Sequence, residues 1–209
     1  ISKTTDGGNT WNYIQYSGTG GTVRSLFFLN ANTGYMTGSG TARFSKTTDQ
    51  GQTWIPNVNI PVNSYTNMYA IDENNIFAVT SLNKIIKTSD AGATWTTQTL
   101  LGNSATLTDI IFKDANTGYV CGNGNYFAYT TNAGSTWTQH NTSSNVGLQD
   151  LDFTGGVLYM AGNYNYVYKS SNNGVTWDSI YFHDASNPNQ PPGGAPGVIY
   201  GMSVNGSDF

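Results

Sequence analysis

Residues 47–54 read Thr47-Thr48-Asp49-Gln50-Gly51-Gln52-Thr53-Trp54, and the same arrangement occurs four more times: TTDGGNTW at 4–11, TSDAGATW at 88–95, TTNAGSTW at 130–137 and SSNNGVTW at 170–177. The shared pattern is Ser/Thr-x-Asp/Asn-x-Gly-x-Thr-Trp. Trp11, Trp54, Trp95, Trp137 and Trp177 are separated by 43, 41, 42 and 40 residues, a period that belongs to blade-type repeats. Each octet reads as a tight hairpin. A side-chain oxygen at Asp6, Asp49, Asp90, Asn132 or Asn172 can accept nearby backbone N–H groups and fix the turn. Gly8, Gly51, Gly92, Gly134 and Gly174 supply a positive φ that a side chain would resist. The tryptophan is expected to begin the next strand and to bury its ring, pinning the hairpin to the rest of the sheet.

A second element recurs between the octets, FLNANTGYMTG at 28–38 and FKDANTGYVCG at 112–122, with looser versions AIDENNIFAV at 70–79 and FTGGVLYMAG at 153–162. Each reads as a strand end, a polar turn and a second strand containing small residues. One period therefore holds four short strands. In the third period they are expected near Leu107–Lys113, Gly118–Gly122, Tyr126–Thr130 and Ser135–His140. The fold class that follows is all-β: a β-propeller of four-stranded blades over 1–209, with each octet between strands three and four of its blade.

The octets resemble the Asp-box, or BNR, repeat of sialidases, sortilin-type receptors and some glycoside hydrolases. The added FxxxNTGYxxG element resembles the family related to the photosystem II stability and assembly factor, whose relatives include exported bacterial repeat proteins. The resemblance covers essentially the whole chain. It implies the propeller fold and says little about activity, because the shared residues are those that build hairpins. A sialidase of this kind requires several arginines converging on a substrate carboxylate, and a Tyr/Glu nucleophile pair. This sequence has only Arg24 and Arg43, and Glu73 is its one glutamate.

Composition narrows the function classes further. Twenty-five glycines, 14 tyrosines and five tryptophans accompany only 10% charged residues, a balance suited to short strands and tight turns. A formal net charge of −4 and the absence of a basic stripe argue against a nucleic-acid partner. No apolar run approaches the length needed for a membrane-spanning helix. Cys121 is the only cysteine, so no disulfide forms within the chain, and its Tyr-Val-Cys-Gly setting reads as a buried strand. His140 and His183 fall in separate repeats, and Asp72-Glu73-Asn74-Asn75 reads as a turn rather than a calcium loop. No metal or cofactor is expected.

Alignment of the repeats on Phe28, Ala70, Phe112, Phe153 and Val204 places Ser25, Asn67, Asp109, Asp150 and Gly201 at one position of the innermost strand. Ser25, Asn67, Asp109 and Asp150 are expected to line a central channel, and Asp109 with Asp150 forms the one acidic pair available to a glycoside hydrolase. The aromatic segments Tyr126-Phe127-Ala128-Tyr129 and Tyr164-Asn165-Tyr166-Val167-Tyr168 offer rings either to a ligand or to blade packing. The Pro/Gly-rich insertion at 183–197 is expected to be a loop on a propeller face. The chain starts within strand three of one blade and stops near strand two of another, which favours an arc of a larger propeller. These readings lead to a non-catalytic binding or assembly scaffold with a protein or glycan partner, in an exported or cell-surface setting. The alternatives are part of a carbohydrate-active enzyme and a structural repeat domain of a surface protein.

Overall fold

The computed structural model describes residues 1–14, 21–40, 44–61, 64–100, 105–141, 147–181 and 197–204. All regular structure in these residues is β. A two-stranded sheet comprises β1 (Ser2–Lys3) and β2 (Asn12–Tyr13). Sheet one follows with β3 (Val23–Phe28), β4 (Gly34–Gly38), β5 (Phe44–Thr47) and β6 (Ile55–Pro56). Sheet two has β7 (Tyr65–Ala70), β8 (Ile76–Thr80), β9 (Lys84–Thr88) and β10 (Thr96–Thr99). Sheet three has β11 (Leu107–Phe112), β12 (Gly118–Gly122), β13 (Tyr126–Thr130) and β14 (Thr138–Asn141). Sheet four has β15 (Leu148–Thr154), β16 (Val157–Gly162), β17 (Tyr166–Ser170) and β18 (Asp178–Tyr181).

Each of the four large sheets pairs its strands in sequence order. Antiparallel register links β11 to β12 through Ile110↔Val120 and β12 to β13 through Val120↔Ala128. This is the blade plan of a β-propeller. Strand four starts later than the sequence suggested: it begins at Thr138 rather than Ser135, because the octet stays in its turn up to the tryptophan. Each tryptophan thus precedes strand four instead of opening it.

Cα proximity divides the chain into two compact units, 1–78 with 86–96, and 79–85 with 97–209. In the first unit, Tyr35 and Phe44 of sheet one form a buried cluster with Met68, Ala70, Ile76 and Ile86 of sheet two, and Trp95 packs against it. In the second unit, Tyr119, Cys121 and Phe127 of sheet three meet Leu151, Leu158 and Met160 of sheet four, beside Trp177. The octet tryptophan works the same way in both. Trp95 sets its edge against Phe44 at 5.1 Å, and Trp177 meets Phe127 at 5.2 Å. The ring therefore pins its hairpin to the preceding sheet. Trp11 is the exception, with its ring largely in solvent. Tyr126, Phe127 and Tyr168 lie in the core, so most of the aromatic strand-three segments serve sheet packing; Tyr164 alone among them is exposed.

The two glycines of the GYxxG strands have different tasks. A Cβ on Gly34 or Gly118 would meet the ring of Phe28 at 2.8 Å or of Phe112 at 2.6 Å, so the bare glycine is the floor on which that ring lies. Sheet two replaces this pair with Ala70 and Ile76, exchanging the large and small partners. The second glycine faces an irregularity in strand one: the register shifts between Val23 and Ser25, Leu107 and Asp109, and Leu148 and Asp150. A Cβ on Gly38, Gly122 or Gly162 would strike the bulged backbone there. The turn between strands one and two is closed by a side-chain oxygen. Asn30 Oδ1 accepts the Asn32 and Thr33 N–H groups, and Asp72 and Asp114 do the same for the residues two and three ahead. In sheet four Gly155 and Gly156 take positive φ instead, so a two-residue turn joins Thr154 to Val157.

Tyr119 donates its hydroxyl to Asn173 Oδ1 at 2.9 Å. Tyr35 holds the matching place in sheet one, but the residue matching Asn173 is Ala91, and the Tyr35 hydroxyl is buried without a partner. Ala91 also has a φ of 57°, a left-handed conformation that asparagine tolerates better than alanine. Ala91→Asn is expected to stabilise the protein by about 1–2 kcal/mol, since it relieves both costs. Thermal unfolding checks this: a rise of about 2–4 °C per kcal/mol is expected for a domain of this size, and removing the hydroxyl with Tyr35→Phe should cancel most of the gain.

Candidate functional site

The octets are built from two side chains. In the second one, the Thr47 hydroxyl donates to Asp49 Oδ1 (2.8 Å) and accepts the N–H of Gly51 (2.9 Å). Asp49 Oδ1 accepts the Thr53 N–H (2.8 Å), and Oδ2 accepts the Thr53 hydroxyl (2.6 Å). Between them the chain turns through Gln50 and Gly51, with φ of 63° and 81°. The Gln52 N–H closes the turn on the Asp49 carbonyl at 3.3 Å, and the Trp54 indole N–H donates to the Gly51 carbonyl at 3.1 Å. Asp6 and Asp90 make the same contacts. Their carboxyls and that of Asp49 are held down at about 2, chiefly by the hydroxyl of Thr10, Thr53 or Thr94 and then by the same residue's N–H.

Asn132 and Asn172 preserve the turn with one polarity reversed. Their Oδ1 atoms accept the Thr136 and Thr176 N–H groups at 2.9 Å, while their amides donate to the hydroxyls of the same residues at 2.8 Å. In these two octets the indole nitrogens of Trp137 and Trp177 are buried without a hydrogen-bond partner. Gly134 and Gly174 have φ of 73° and 83°. The octet is also tied to the first turn of its own sheet: the N–H groups of Gln50, Ala91 and Ala133 reach the carbonyls of Asn32, Asn74 and Asn116.

The position shared by Ser25, Asn67, Asp109 and Asp150 joins neighbouring sheets. A register shift immediately precedes it at Ser25, Asp109 and Asp150. In the first unit, the Ser25 hydroxyl donates to Asn67 Oδ1 at 2.5 Å, and that oxygen also accepts the Met68 N–H at 2.7 Å. In the second unit, Asp109 accepts the Ile110 N–H through Oδ1 and the Leu151 N–H, from the next sheet, through Oδ2, both at 2.8 Å. Asp150 repeats the reach with the Met202 N–H at 2.5 Å. Asp152, which the sequence reading did not single out, accepts the Val204 N–H at 2.6 Å. Its alternation with Asp150 in β15 was the available signal.

Asp109 is buried rather than solvated, while Ser25, Asn67 and Asp150 are half-buried. A carboxylate in this setting loses water on all sides. Burial first, and the facing Asp150 carboxylate second, push the Asp109 carboxyl well above the ordinary carboxylate range. Asp150 is raised as well, mainly by burial, while its hydrogen bond from Asp109 opposes the rise. Both carboxyls of the facing pair are thus driven toward the protonated form, Asp109 more deeply buried than Asp150. A glycosidase pair stands ~5–10 Å apart across a site open to substrate and water; here Asp109 is buried, Asp150 is half-buried, and both accept backbone amides. Cys121, cross-strand from Asp109, is buried, and burial pushes its thiol up. Among the described residues, no three His, Cys, Asp or Glu side chains gather as metal ligands. Arg43, His183 and the insertion up to residue 196 lie outside the described residues.

The upward shift of the Asp109 carboxyl has a thermodynamic sign. A carboxyl whose folded value is raised stays protonated in the folded chain and ionises in the unfolded one above about pH 4. Its contribution is therefore favourable below that value and declines as pH rises. Asp109→Asn removes the titration at the cost of one backbone acceptor. Denaturant unfolding at several pH values should show the wild-type protein losing part of its advantage over Asp109→Asn between pH 5 and pH 8. Parallel curves would mean that Asp109 is ionised in the folded protein.

The family model described as photosynthesis system II assembly factor YCF48 matches residues 97–203, just over half of the chain. A search of curated proteins returns no significant match. Among solved structures, YCF48 from Cyanidioschyzon merolae is similar at 18% identity, over 86% of this chain and 65% of that one, with a TM-score of 0.64. An ancestral GH74 enzyme is similar at 21% identity, over 81% of this chain and 25% of the enzyme, with a TM-score of 0.65. Virginiamycin B lyase from Staphylococcus aureus aligns at 12% identity, over 80% of this chain and 58% of that one, with a TM-score of 0.67. This chain thus spans a quarter of the GH74 enzyme and under two thirds of YCF48. At these identities the structural likeness shows the propeller fold alone. The repeat pattern, the blade geometry and the extent of the family match together place the chain in the photosystem II assembly factor YCF48 family of BNR-repeat β-propellers.

Proposed function

We propose that this chain is a non-catalytic scaffold that binds a polypeptide partner during assembly of a larger complex, in an exported or surface-exposed setting. The observation that carries the reading is the fate of its acidic pair. Asp109 and Asp150 spend oxygens on the backbone amides of Ile110, Leu151 and Met202. The inner strands' polar position thus joins sheets. Membership of a family described as an assembly factor supports a protein partner over a glycan. The low lysine content and the abundance of asparagine, threonine and glycine support export.

Two screens with the purified chain test this: selection from a random peptide display library, and a panel of polysaccharides assayed for released reducing ends. The scaffold reading expects peptides that bind saturably and no polysaccharide turnover. Turnover that disappears in the Asp109→Asn/Asp150→Asn double variant would overturn it in favour of a glycoside hydrolase.

A further inference from the structure

The octet tryptophans differ in what they meet on the preceding sheet. In the first unit Trp95 sets its edge on Phe44 at 5.1 Å, and the Asn57 amide donates to the Gly92 carbonyl beside it at 2.8 Å. In the second unit Trp177 meets Phe127 at 5.2 Å. Phe44 and Phe127 each stand three residues before the first threonine of an octet, Thr47 and Thr130, and the residue at that position in sheet two is Ile85. Isoleucine is shorter and carries no ring. Among the described residues Trp137 makes its ring contact with Phe112 of its own sheet, at 6.1 Å, and with no ring of sheet two.

Beside Trp137 lies a cavity of about 540 Å³, within the range of about 300–1,000 Å³ common to small-molecule sites. It lies between two four-stranded sheets in mid-chain, and all of its lining belongs to the second unit. Its apolar part is Leu100 and Tyr126, both buried, with the half-buried Trp137. Its polar part includes the amides of Gln98 and Gln139 and the hydroxyl of Thr136. None of the lining side chains among the described residues is charged.

These groups select a ligand chemistry. The Trp137 indole nitrogen is buried, so the ring offers the cavity carbon surface, whose negative π face favours slightly positive C–H groups. Gln98 donates its Nε2 to the Ser135 carbonyl at 3.5 Å, which leaves its Oε1 to accept. A matching ligand is uncharged, has a flat C–H face and carries hydroxyls that donate. Neutral sugars have all three properties. A prolyl peptide also offers C–H faces, but its backbone has no donor. We infer that this cavity is a binding site for a neutral saccharide, with one sugar ring lying on Trp137 and its hydroxyls held by Gln98, Thr136 and Gln139. The platform is fixed before the ligand arrives, because the octet and Phe112 hold the Trp137 ring, and that lowers the ordering cost of binding. The site is separate from the inner-strand carboxylates and stands whether or not the polypeptide-scaffold reading holds.

Cellotetraose, maltotetraose, mannotetraose and chitotetraose, each titrated into the protein by isothermal calorimetry, test this. At least one is expected to bind saturably and one-to-one. The Gln98→Ala/Gln139→Ala double variant is expected to weaken that binding about tenfold, and Ile85→Phe, which places in sheet two the residue that sheets one and three carry, to abolish it by filling the space. Unchanged circular dichroism spectra will show that both variants keep the fold; should Ile85→Phe misfold, the double variant decides alone. Absence of binding by all four sugars, or wild-type affinity in the folded variants, would overturn the assignment. So would binding of a blocked decaproline that Ile85→Phe abolishes, since the seat would then belong to a peptide.

Discussion

The structure depends on one short-range constraint: a hydroxyl and a carboxylate or amide, two residues apart, holding the amides of an exposed left-handed turn. The turn alone is unfavourable. Gln50, Ala91, Ala133 and Asn173 all sit at positive φ without being glycine, a strain of about 1 kcal/mol or more for most side chains. Thr47, Thr88, Thr130 and Ser170 offset it by accepting the glycine N–H, while Asp49, Asp90, Asn132 and Asn172 accept the N–H four residues ahead. Because this network is local, it can form in each hairpin before any sheet meets another. It also fixes where the tryptophan emerges, and for Trp95 and Trp177 that ring packs against the preceding sheet.

A second set of contacts turns hairpins into a propeller. The bulge before Ser25, Asp109 and Asp150 and the glycine opposite it are one device. A polar side chain follows the bulge and bonds to the next repeat, and the glycine makes room for the strand. Charge enters only where reach demands it. Ser25 and Asn67 span their gap as neutral partners, while Asp109 uses two oxygens to satisfy one amide in each of two sheets. Burying that carboxylate is costly, and its carboxyl is pushed toward the protonated form, which lowers the cost. The pair that looks catalytic in sequence accepts backbone amides within its own strand and from the following repeat.

The repeat made much of this legible. The octet spacing located the hairpins, and the GYxxG element located strands one and two, because each pattern contains residues whose only role is backbone geometry. The first Ser/Thr of all five octets was visible too, although its hydroxyl contributes as much to the turn as the Asp or Asn. Other features resisted. The start of strand four could not be read, since Thr and Trp suit either a turn or a strand. The exposure of Trp11 depends on what lies across from it, which no octet encodes. The repeat alignment brought Asp109 and Asp150 together, but the burial of Asp109 could not be read, since it depends on the packing of the following sheet. The left-handed φ of Ala91 could not be inferred from an alanine.

Amide hydrogen exchange resolved by residue tests the central claim most directly. The N–H groups of Thr53, Thr94, Thr136 and Thr176 lie in exposed turns. If side-chain oxygens hold them as described, they will exchange nearly as slowly as the amides of the central strands β4, β8, β12 and β16. Exchange at the rate of an unstructured peptide, with those strands still protected, would show that the turns follow from the sheets rather than organise them.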